Sequence, residues 1–358
     1  MGTRQEQFSG TREIRDAHQF DIAQLEDYML SHVEHFHGPL TVRQFKGGQS
    51  NPTYLLESPS GKYVMRRKPP GKLLKSAHAV DREFKVISAL YAADFPVPRP
   101  HVICKDEAIV GTMFFIMEYV EGRIFWEPDL PGLDPEERTA IYDNLGETIA
   151  KLHSFDHEKI GLGDYGRPGN YFARQISRWS KQYYASQSEK LEAMDKLIAW
   201  LPEHIPDDES VGIVHGDFRL DNMIIHATEP KVIAVLDWEL STIGHPLGDF
   251  TYHLMAWQTP EIGIGSAGLL GKDLKALGIP PEDEYVAAYC ERTNRSDGIQ
   301  NRDFYSAYNL FRIAAILEGI AGRVRDGTAA SAHAERAGKA VPPLVEMAWS
   351  YAQRAGAA

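Results

Sequence analysis

Val214-His215-Gly216-Asp217-Phe218-Arg219-Leu220-Asp221-Asn222-Met223-Ile224-Ile225, carried on through Lys231-Val232-Ile233-Ala234-Val235-Leu236-Asp237-Trp238-Glu239, is the stretch around which this chain is organised. A mostly β-branched run, Val211 to Val214, reads as a short strand that delivers His215-Gly216-Asp217 into a loop, and Met223-Ile224-Ile225 leaves that loop as a second strand. The segment from His226 to Pro230 turns the chain back. Lys231 to Leu236 is then an apolar run short enough for a buried strand, and it ends abruptly on Asp237. Three oxygen-bearing side chains, Asp217, Asn222 and Asp237, therefore fall at the ends of short apolar strands.

Taken singly, Asp and Asn are ordinary turn and capping residues. Their joint spacing is what suits one chemistry. Phosphoryl transfer needs a carboxylate close to the attacking hydroxyl, and hard oxygen ligands for a magnesium ion that bridges nucleotide phosphates. Asp217 can serve as the carboxylate, Asn222 offers a neutral carbonyl oxygen to the metal, and Asp237 offers a charged one. The arrangement resembles the D-x-x-x-x-N catalytic loop and strand-terminal metal aspartate of the aminoglycoside phosphotransferase and choline kinase superfamily, in its H-G-D form. Protein kinases would show H-R-D and D-F-G, where this chain has His215-Gly216-Asp217 and Asp237-Trp238-Glu239. The resemblance implies an α+β, two-lobed, protein-kinase-like fold, with a small N-terminal lobe built on an antiparallel sheet and a larger, mainly helical C-terminal lobe. His215 is expected to brace the loop by hydrogen bonding rather than to act as a base.

Composition bounds the alternatives. The 358 residues suffice for a sizeable core and two lobes. Lys and Arg total 38 against 50 Asp and Glu, a formal charge of −12 that disfavours a general nucleic-acid binder. The two cysteines, Cys104 and Cys290, are too far apart in sequence to suggest a metal cluster, and they fit a reducing compartment. No run reaches the length of a membrane span, and the polar start lacks the apolar core of a secretory signal. Glu6 stands where a myristoylation motif needs Ser or Thr. The expectation is a soluble, cytoplasmic protein.

Working outward, residues 1–38 read as an N-terminal helical extension: a polar tail, then Ile22, Leu25, Met29 and Val33 at helical spacing. His32, His35 and His37 lack the spacing of a metal site and read as surface histidines. Residues 39–120 read as a nucleotide-binding lobe. Two β runs flank Gly47-Gly48-Gln49-Ser50-Asn51, and the resemblance implies a loop there that covers nucleotide phosphates. Gly47 and Gly48 would allow close backbone approach, and Ser50 and Asn51 would donate hydrogen bonds. Lys62 to Arg66 forms a third strand, and by the resemblance Arg66 stands where protein kinases carry their phosphate-binding lysine. Arg67 competes for that role, although strand alternation sends it to the opposite face.

Ser76 can cap a helix striped by Val80, Phe84, Ile87 and Tyr91, on which Glu83 is the candidate partner of Arg66. The prolines from Pro96 to Pro100 end it. Strands near 101–105 and 112–119 lead into Glu118-Tyr119-Val120-Glu121-Gly122, which resembles the inter-lobe hinge where backbone groups, those of Glu118 and Val120, meet a purine edge. Residues 121–358 would form the catalytic and substrate-binding helical lobe, with helices expected at about 134–153, 171–187, 191–201, 283–292, 304–323 and 344–354. Asp249 looks like a supporting acid in a G-D motif. Between Gly322 and Ala340, the cations Arg323, Arg325, Arg336 and Lys339 read as a solvated connector or as an anion site.

The resemblance implies transfer of the γ-phosphoryl group of ATP or GTP, with magnesium, to a hydroxyl of a small molecule. Asp217 would position the hydroxyl and take its proton, Asn222 and Asp237 would hold the metal, and Arg66, oriented by Glu83, would hold the phosphates. Gly47 to Tyr54, Met65 to Gly71, His78 to Phe84 and Arg323 to Ala334 look closest to the kinase-like domain that some acyl-CoA dehydrogenase family proteins carry at their N-terminus. That likeness points to a hydroxyacyl-CoA acceptor and to a separate acyl-CoA dehydrogenase as partner. Aminoglycosides, other amino alcohols and sugars remain alternative acceptors, and a non-catalytic nucleotide-binding regulatory module is the alternative of another class. The oligomeric state is left open.

Overall fold

The structure is a computed structural model that describes residues 10–46, 51–70, 79–260, 268–325 and 332–358, without the side chains of 323–336. In chain order the strands are β1 (Thr11–Arg12), β2 (Thr41–Phe45), β3 (Thr53–Ser58), β4 (Gly61–Arg67), β5 (Pro100–Cys104), β6 (Phe114–Glu118), β7 (Gly212–Val214), β8 (Met223–Ile225), β9 (Val232–Val235) and β10 (Thr242–Gly244). The longer helices are α1 (Ile22–His32), α2 (Val80–Ala92), α3 (Pro135–Ser154), α4 (Tyr171–Ser186), α5 (Glu192–Glu203), α6 (Pro246–His253), α7 (Glu282–Arg292), α8 (Arg302–Arg325) and α9 (Ala332–Arg354). The kinase-like α+β fold divides into two compact units. One comprises Met1–Trp126, Glu158–Tyr165 and Asp221–Ser241, and the other Glu127–His157, Gly166–Leu220 and Thr242–Ala358. Asn222 and Asp237 thus belong to the same unit as Arg66 and Glu83, whereas Asp217 belongs to the other.

The first unit is built on a six-stranded antiparallel sheet of order β1-β2-β3-β4-β6-β5. Side chains alternate across it. Tyr63 and Met65 of β4 join the apolar cluster that also takes in Leu25 and Met29 of α1, so the N-terminal helix is part of this core. The polar tail contributes β1, whose Thr11 and Arg12 pair with Phe45 and Gln44. Such a strand carries no apolar alternation by which a sequence would show it.

Helix α2 differs from the expected stripe. Ser76 lies outside the described residues, and the helix begins at Val80 with no side-chain cap at Ala79. Tyr91 is exposed, and Val80, Glu83, Val86, Ile87 and Leu90 are buried. At about 100° per residue these five fall on one arc with Glu83 near its middle, so the carboxylate is carried inward by the apolar residues around it. The same unit contains the β8–β9 ribbon, in which Met223 pairs with Val235 and Leu236 N–H donates to Asn222 O at 2.8 Å.

The second unit is helical around a small β7–β10 pair, in which Val214 lies opposite Thr242. Asp134 caps α3, accepting from Glu137 N–H at 2.8 Å, with Pro135 in the first helical position. Phe250 of α6 stacks on Tyr289 of α7 with ring centroids 3.6 Å apart. The expected connector up to residue 340 is helical from Ala332, because α9 runs through Pro342 and Pro343 to Arg354. Ala337, Ala340, Val341, Leu344, Val345 and Ala348 are buried at helical spacing, and the Pro pair hides this period from a reading of the sequence. Of the cation cluster, Arg323, Arg325 and Arg336 lie outside the described side chains, while Lys339 is exposed. Among the described residues, no helix is long and apolar enough to cross a membrane.

Candidate active site

In the sheet unit, the site is assembled around one guanidinium. Arg66, the penultimate residue of β4, is 9% exposed; its Nε lies 2.6 Å from Glu83 Oε2, and its Nη2 lies 2.7 Å from Asp237 Oδ1 and 3.6 Å from Glu239 Oε2. Burial by itself would lower the Arg66 pKa, but the three carboxylates more than offset this and hold it above its ordinary value. Glu83 is 1% exposed and responds the other way: burial raises its pKa against the pull of Arg66. Asn51 is fully buried and donates from Nδ2 to Glu83 Oε1 at 2.9 Å, so its side chain secures that carboxylate. Gly47, Gly48 and Ser50 lie outside the described residues. Arg67 faces the other side of the sheet, where it donates to Val110 O and His18 O.

Asp237 follows β9 with φ 64° and ψ 62°, a left-handed conformation that costs most L-residues about 1–2 kcal/mol and that Asp tolerates better than most. Three carboxylates around a single arginine leave a local excess of negative charge. Asp237 and Glu239 also retain 35% and 25% side-chain exposure. That donor set, with Asn222 joined through its backbone carbonyl to Leu236 across the ribbon, fits a hard divalent cation that completes its shell with phosphate and water. Among the described residues, no group of three or more His, Cys, Asp or Glu forms a metal cage, and a magnesium site shared with phosphates does not require one. In the Glu118 to Gly122 segment, Glu118 donates its N–H to Arg99 O at 2.8 Å. Val120 is half-buried.

The helical unit supports Asp217. Gly216, with φ 86°, turns the backbone in a way that favours glycine over any L-residue, and this accounts for H-G-D at this loop. Asp249 of α6, 1% exposed, accepts from His215 N–H at 2.7 Å and Gly216 N–H at 2.9 Å. His153 Nε2 lies 3.4 Å behind it. Burial would raise the Asp249 pKa, but the hydrogen bond and charge of His153, with help from His215, keep it below the usual range. His215 is fully buried and its Nδ1 accepts from Asp217 N–H at 3.1 Å, a bracing contact.

The Asp217 carboxylate receives Tyr252 Oη–H at 2.5 Å and lies 3.2 Å from Arg219 Nε. Burial pushes its pKa up, and Arg219, Tyr252, His215 and Arg312 together hold it below the usual carboxylate range. Arg312 is buried in α8 and donates to Gly216 O. Tyr252, Arg312, Arg219 and Glu239 escaped the sequence reading. Two of them left a signal: Tyr252 lies one turn beyond Asp249, and Arg312 is a lone cation inside the apolar run Leu310-Phe311-Arg312-Ile313-Ala314.

Comparison with known proteins agrees with this geometry. Residues 41–299 match the model of a phosphotransferase enzyme family named APH. Acyl-CoA dehydrogenase family member 10 of Mus musculus is 42% identical over 347 residues, covering 97% of this chain but 32% of that protein, so the chain spans about a third of the length of this curated relative. A crystal structure from Ralstonia eutropha JMP134, provisionally assigned as an aminoglycoside phosphotransferase, is 52% identical with a TM-score of 0.86, covering 94% of this chain and 99% of that one. A thermostable mutant of aminoglycoside phosphotransferase APH(4)-Ia, in ternary complex with AMP-PNP and hygromycin B, shares the fold at a TM-score of 0.57 and 16% identity, covering 92% and 98% of the two chains. The chain therefore belongs to the phosphotransferase enzyme family, and with it to enzymes that transfer a phosphoryl group to a hydroxyl.

Proposed function

We propose that the protein phosphorylates the hydroxyl of a hydroxyacyl-CoA, a 4-hydroxyacyl-CoA being the form to try first, with ATP as donor. The observation that carries the transfer step is an Asp217 carboxylate kept ionised by Tyr252 and Arg219 on a loop fixed by Asp249. Asp217 orients the acceptor hydroxyl and takes its proton as the new oxygen–phosphorus bond forms. The bond from the γ-phosphorus to its bridging oxygen breaks, and that electron pair leaves on ADP. Arg66, fixed by Glu83, binds the nucleotide phosphates. By the family resemblance Gly47, Gly48, Ser50 and Asn51 would cover those phosphates, and the backbone of Glu118 and Val120 would meet the purine edge. Asn222 and Asp237 would hold magnesium, which when bound offsets phosphate charge. GTP is the alternative donor.

The acyl-CoA acceptor is favoured by the relative named as an acyl-CoA dehydrogenase family member, and a dehydrogenase is the partner that reading suggests. An aminoglycoside or other amino-alcohol or sugar acceptor is the second reading, favoured by the assignment of the Ralstonia structure. A regulatory module that binds nucleotide without transfer is the third. Release of ADP or GDP, with product mass, should be followed across 4-hydroxyacyl-CoA, aminoglycoside, choline and sugar acceptors. The expected outcome is transfer to the CoA thioester alone, lowered about 10²- to 10⁴-fold in Asp217→Asn with nucleotide affinity unchanged. Transfer to an aminoglycoside alone would establish the second reading, and Mg-nucleotide binding without transfer to any acceptor would favour the third.

A further inference from the structure

Arg66 is gripped from two sides, by Glu83 on α2 and by Asp237 and Glu239 on the turn that follows β9. Both sides are tied to a third stretch of chain. Residues Glu158–Tyr165 follow α3 in sequence but belong to the sheet unit. From α2, Arg82 donates through Nη2 to Tyr165 O at 2.7 Å, and its guanidinium lies 4.2 Å from the centre of the Tyr165 ring. Lys85, about one turn further along α2, reaches Asp164 at 2.5 Å. That second pair is exposed and makes a weak tie, whereas Tyr165 is 1% exposed.

The Tyr165 hydroxyl lies 2.6 Å from Ser241 Oγ, and Ser241 Oγ lies 2.5 Å from Trp238 O. A carbonyl only accepts, so the one hydroxyl proton of Ser241 goes to Trp238 O, and Tyr165 donates to Ser241 Oγ. Burial pushes the Tyr165 pKa up to about 12, which keeps that proton in place at neutral pH. Ser241 N–H also reaches Trp238 O, at 3.1 Å, and the Trp238 indole N–H donates to Val235 O at 3.0 Å. Trp238 packs edge-on against Phe95, just past the end of α2. The turn fixed in this way is a strained one. Asp237 has φ 64°, a conformation that persists in an L-residue where its surroundings over-determine it.

We propose that Tyr165 is a positioning residue for the metal site: its hydroxyl, through Ser241, holds the Trp238–Leu240 turn so that Asp237 faces Arg66 and a magnesium ion together. Arg82, packed on the ring and bonded to the carbonyl, fixes the tyrosine against α2. The assignment rests on the reading above in which Asp237 holds magnesium and Arg66 the nucleotide phosphates. Tyr165→Phe keeps the ring and the carbonyl that Arg82 holds, so it breaks the tie to the turn and leaves α2 undisturbed. Its effect should therefore fall on the metal's share of nucleotide binding, and not on the metal-free contact made by Arg66.

ATP binding is measured by calorimetry with excess magnesium and again in EDTA, in wild type, Tyr165→Phe, Ser241→Ala, the double variant and Asp237→Ala, with thermal melting alongside. In Tyr165→Phe the Kd with magnesium is expected to rise about two- to tenfold, the worth of one hydrogen bond, while the Kd in EDTA stays put. Ser241→Ala breaks the same chain, so it should act alike, and the double variant should bind no more weakly than Ser241→Ala alone. A lower melting temperature with both Kd values unchanged would make Tyr165 a packing residue and overturn the proposal, as would effects of the two single variants that simply add. Asp237→Ala separates this from the reading beneath it. If that variant retains the tightening by magnesium, or wild type shows none, the metal reading fails and the role of Tyr165 falls with it. If Asp237→Ala loses the tightening while Tyr165→Phe keeps the wild-type Kd, the role of Tyr165 alone fails.

Discussion

On the mechanism proposed above, a carboxylate that must accept a proton in a partly buried loop has to be kept ionised beforehand, and Asp217 has the donors for it. Burial opposes ionisation, while Arg219, the Tyr252 hydroxyl, His215 and Arg312 favour it, and the donors prevail. Tyr252 is itself tied to this state: burial and the adjacent Asp217 charge raise its own pKa, so it stays a hydrogen-bond donor at neutral pH. Tyr252→Phe removes the 2.5 Å donor and leaves the ring in place. On the proposed mechanism the active form is the carboxylate, and losing a donor to it raises the Asp217 pKa. The acid limb of kcat/KM is therefore expected to move to higher pH in Tyr252→Phe, with a lower plateau and unchanged nucleotide affinity. A pH–rate profile with the limb unmoved would assign Tyr252 to packing alone.

At the scale of elements, the loop carrying Asp217 is suspended from α6. Asp249 receives two backbone N–H groups on two separate oxygens. An asparagine keeps the shape but offers one acceptor oxygen, so Asp249→Asn leaves one buried N–H without its acceptor, at a cost of about 1–3 kcal/mol. Turnover should fall because the loop loses its fixed position, while nucleotide affinity, which the proposed function assigns to the sheet unit, should hold. Parallel measurement of kcat and nucleotide Kd checks this. The strand–loop–strand framework of this region was legible because its apolar runs are short and its punctuating residues are specific. The support under it was less so. Arg312 reaches Gly216 across a separation of 96 residues, a pairing that local periodicity does not encode. Glu83 shows the converse: its position on α2 was legible, whereas its place at the centre of the buried arc emerges only once Val86 and Leu90, rather than Tyr91, are seen facing inward.

Across the whole molecule, the sequence indicates the reaction more sharply than the acceptor, because the spacing of Asp217, Asn222 and Asp237 resembles a pattern common to a fold that serves many substrates. The acid stability of the helical unit has a contribution from His253 that sequence does not show. This residue is 6% exposed, its Nε2 lies 2.9 Å from Tyr285 Oη, and Phe218 and Trp257 pack on its ring. Burial lowers its pKa from 6.5 to about 4, despite a hydrogen bond at the Phe218 backbone and the charge of Asp249 that act in the other direction. The unfolded chain therefore binds a proton that the folded one refuses. The sign follows: the stability of the neutral, buried ring is fully present above the ordinary value of 6.5, declines as pH falls, and levels off near 4. The full difference is roughly 3 kcal/mol at about 1.4 kcal/mol per pKa unit. His245, also lowered by burial, adds a slope of the same sign, and Glu282, raised by burial, one of opposite sign. The comparison that isolates His253 is therefore between variants. His253→Gln should be less stable than wild type at pH 7.5, where it only disturbs packing, yet it should lose less stability between pH 6.5 and 4.5. Urea unfolding of both proteins across that range measures the two slopes, and parallel slopes would show that the ring is protonated in the folded protein.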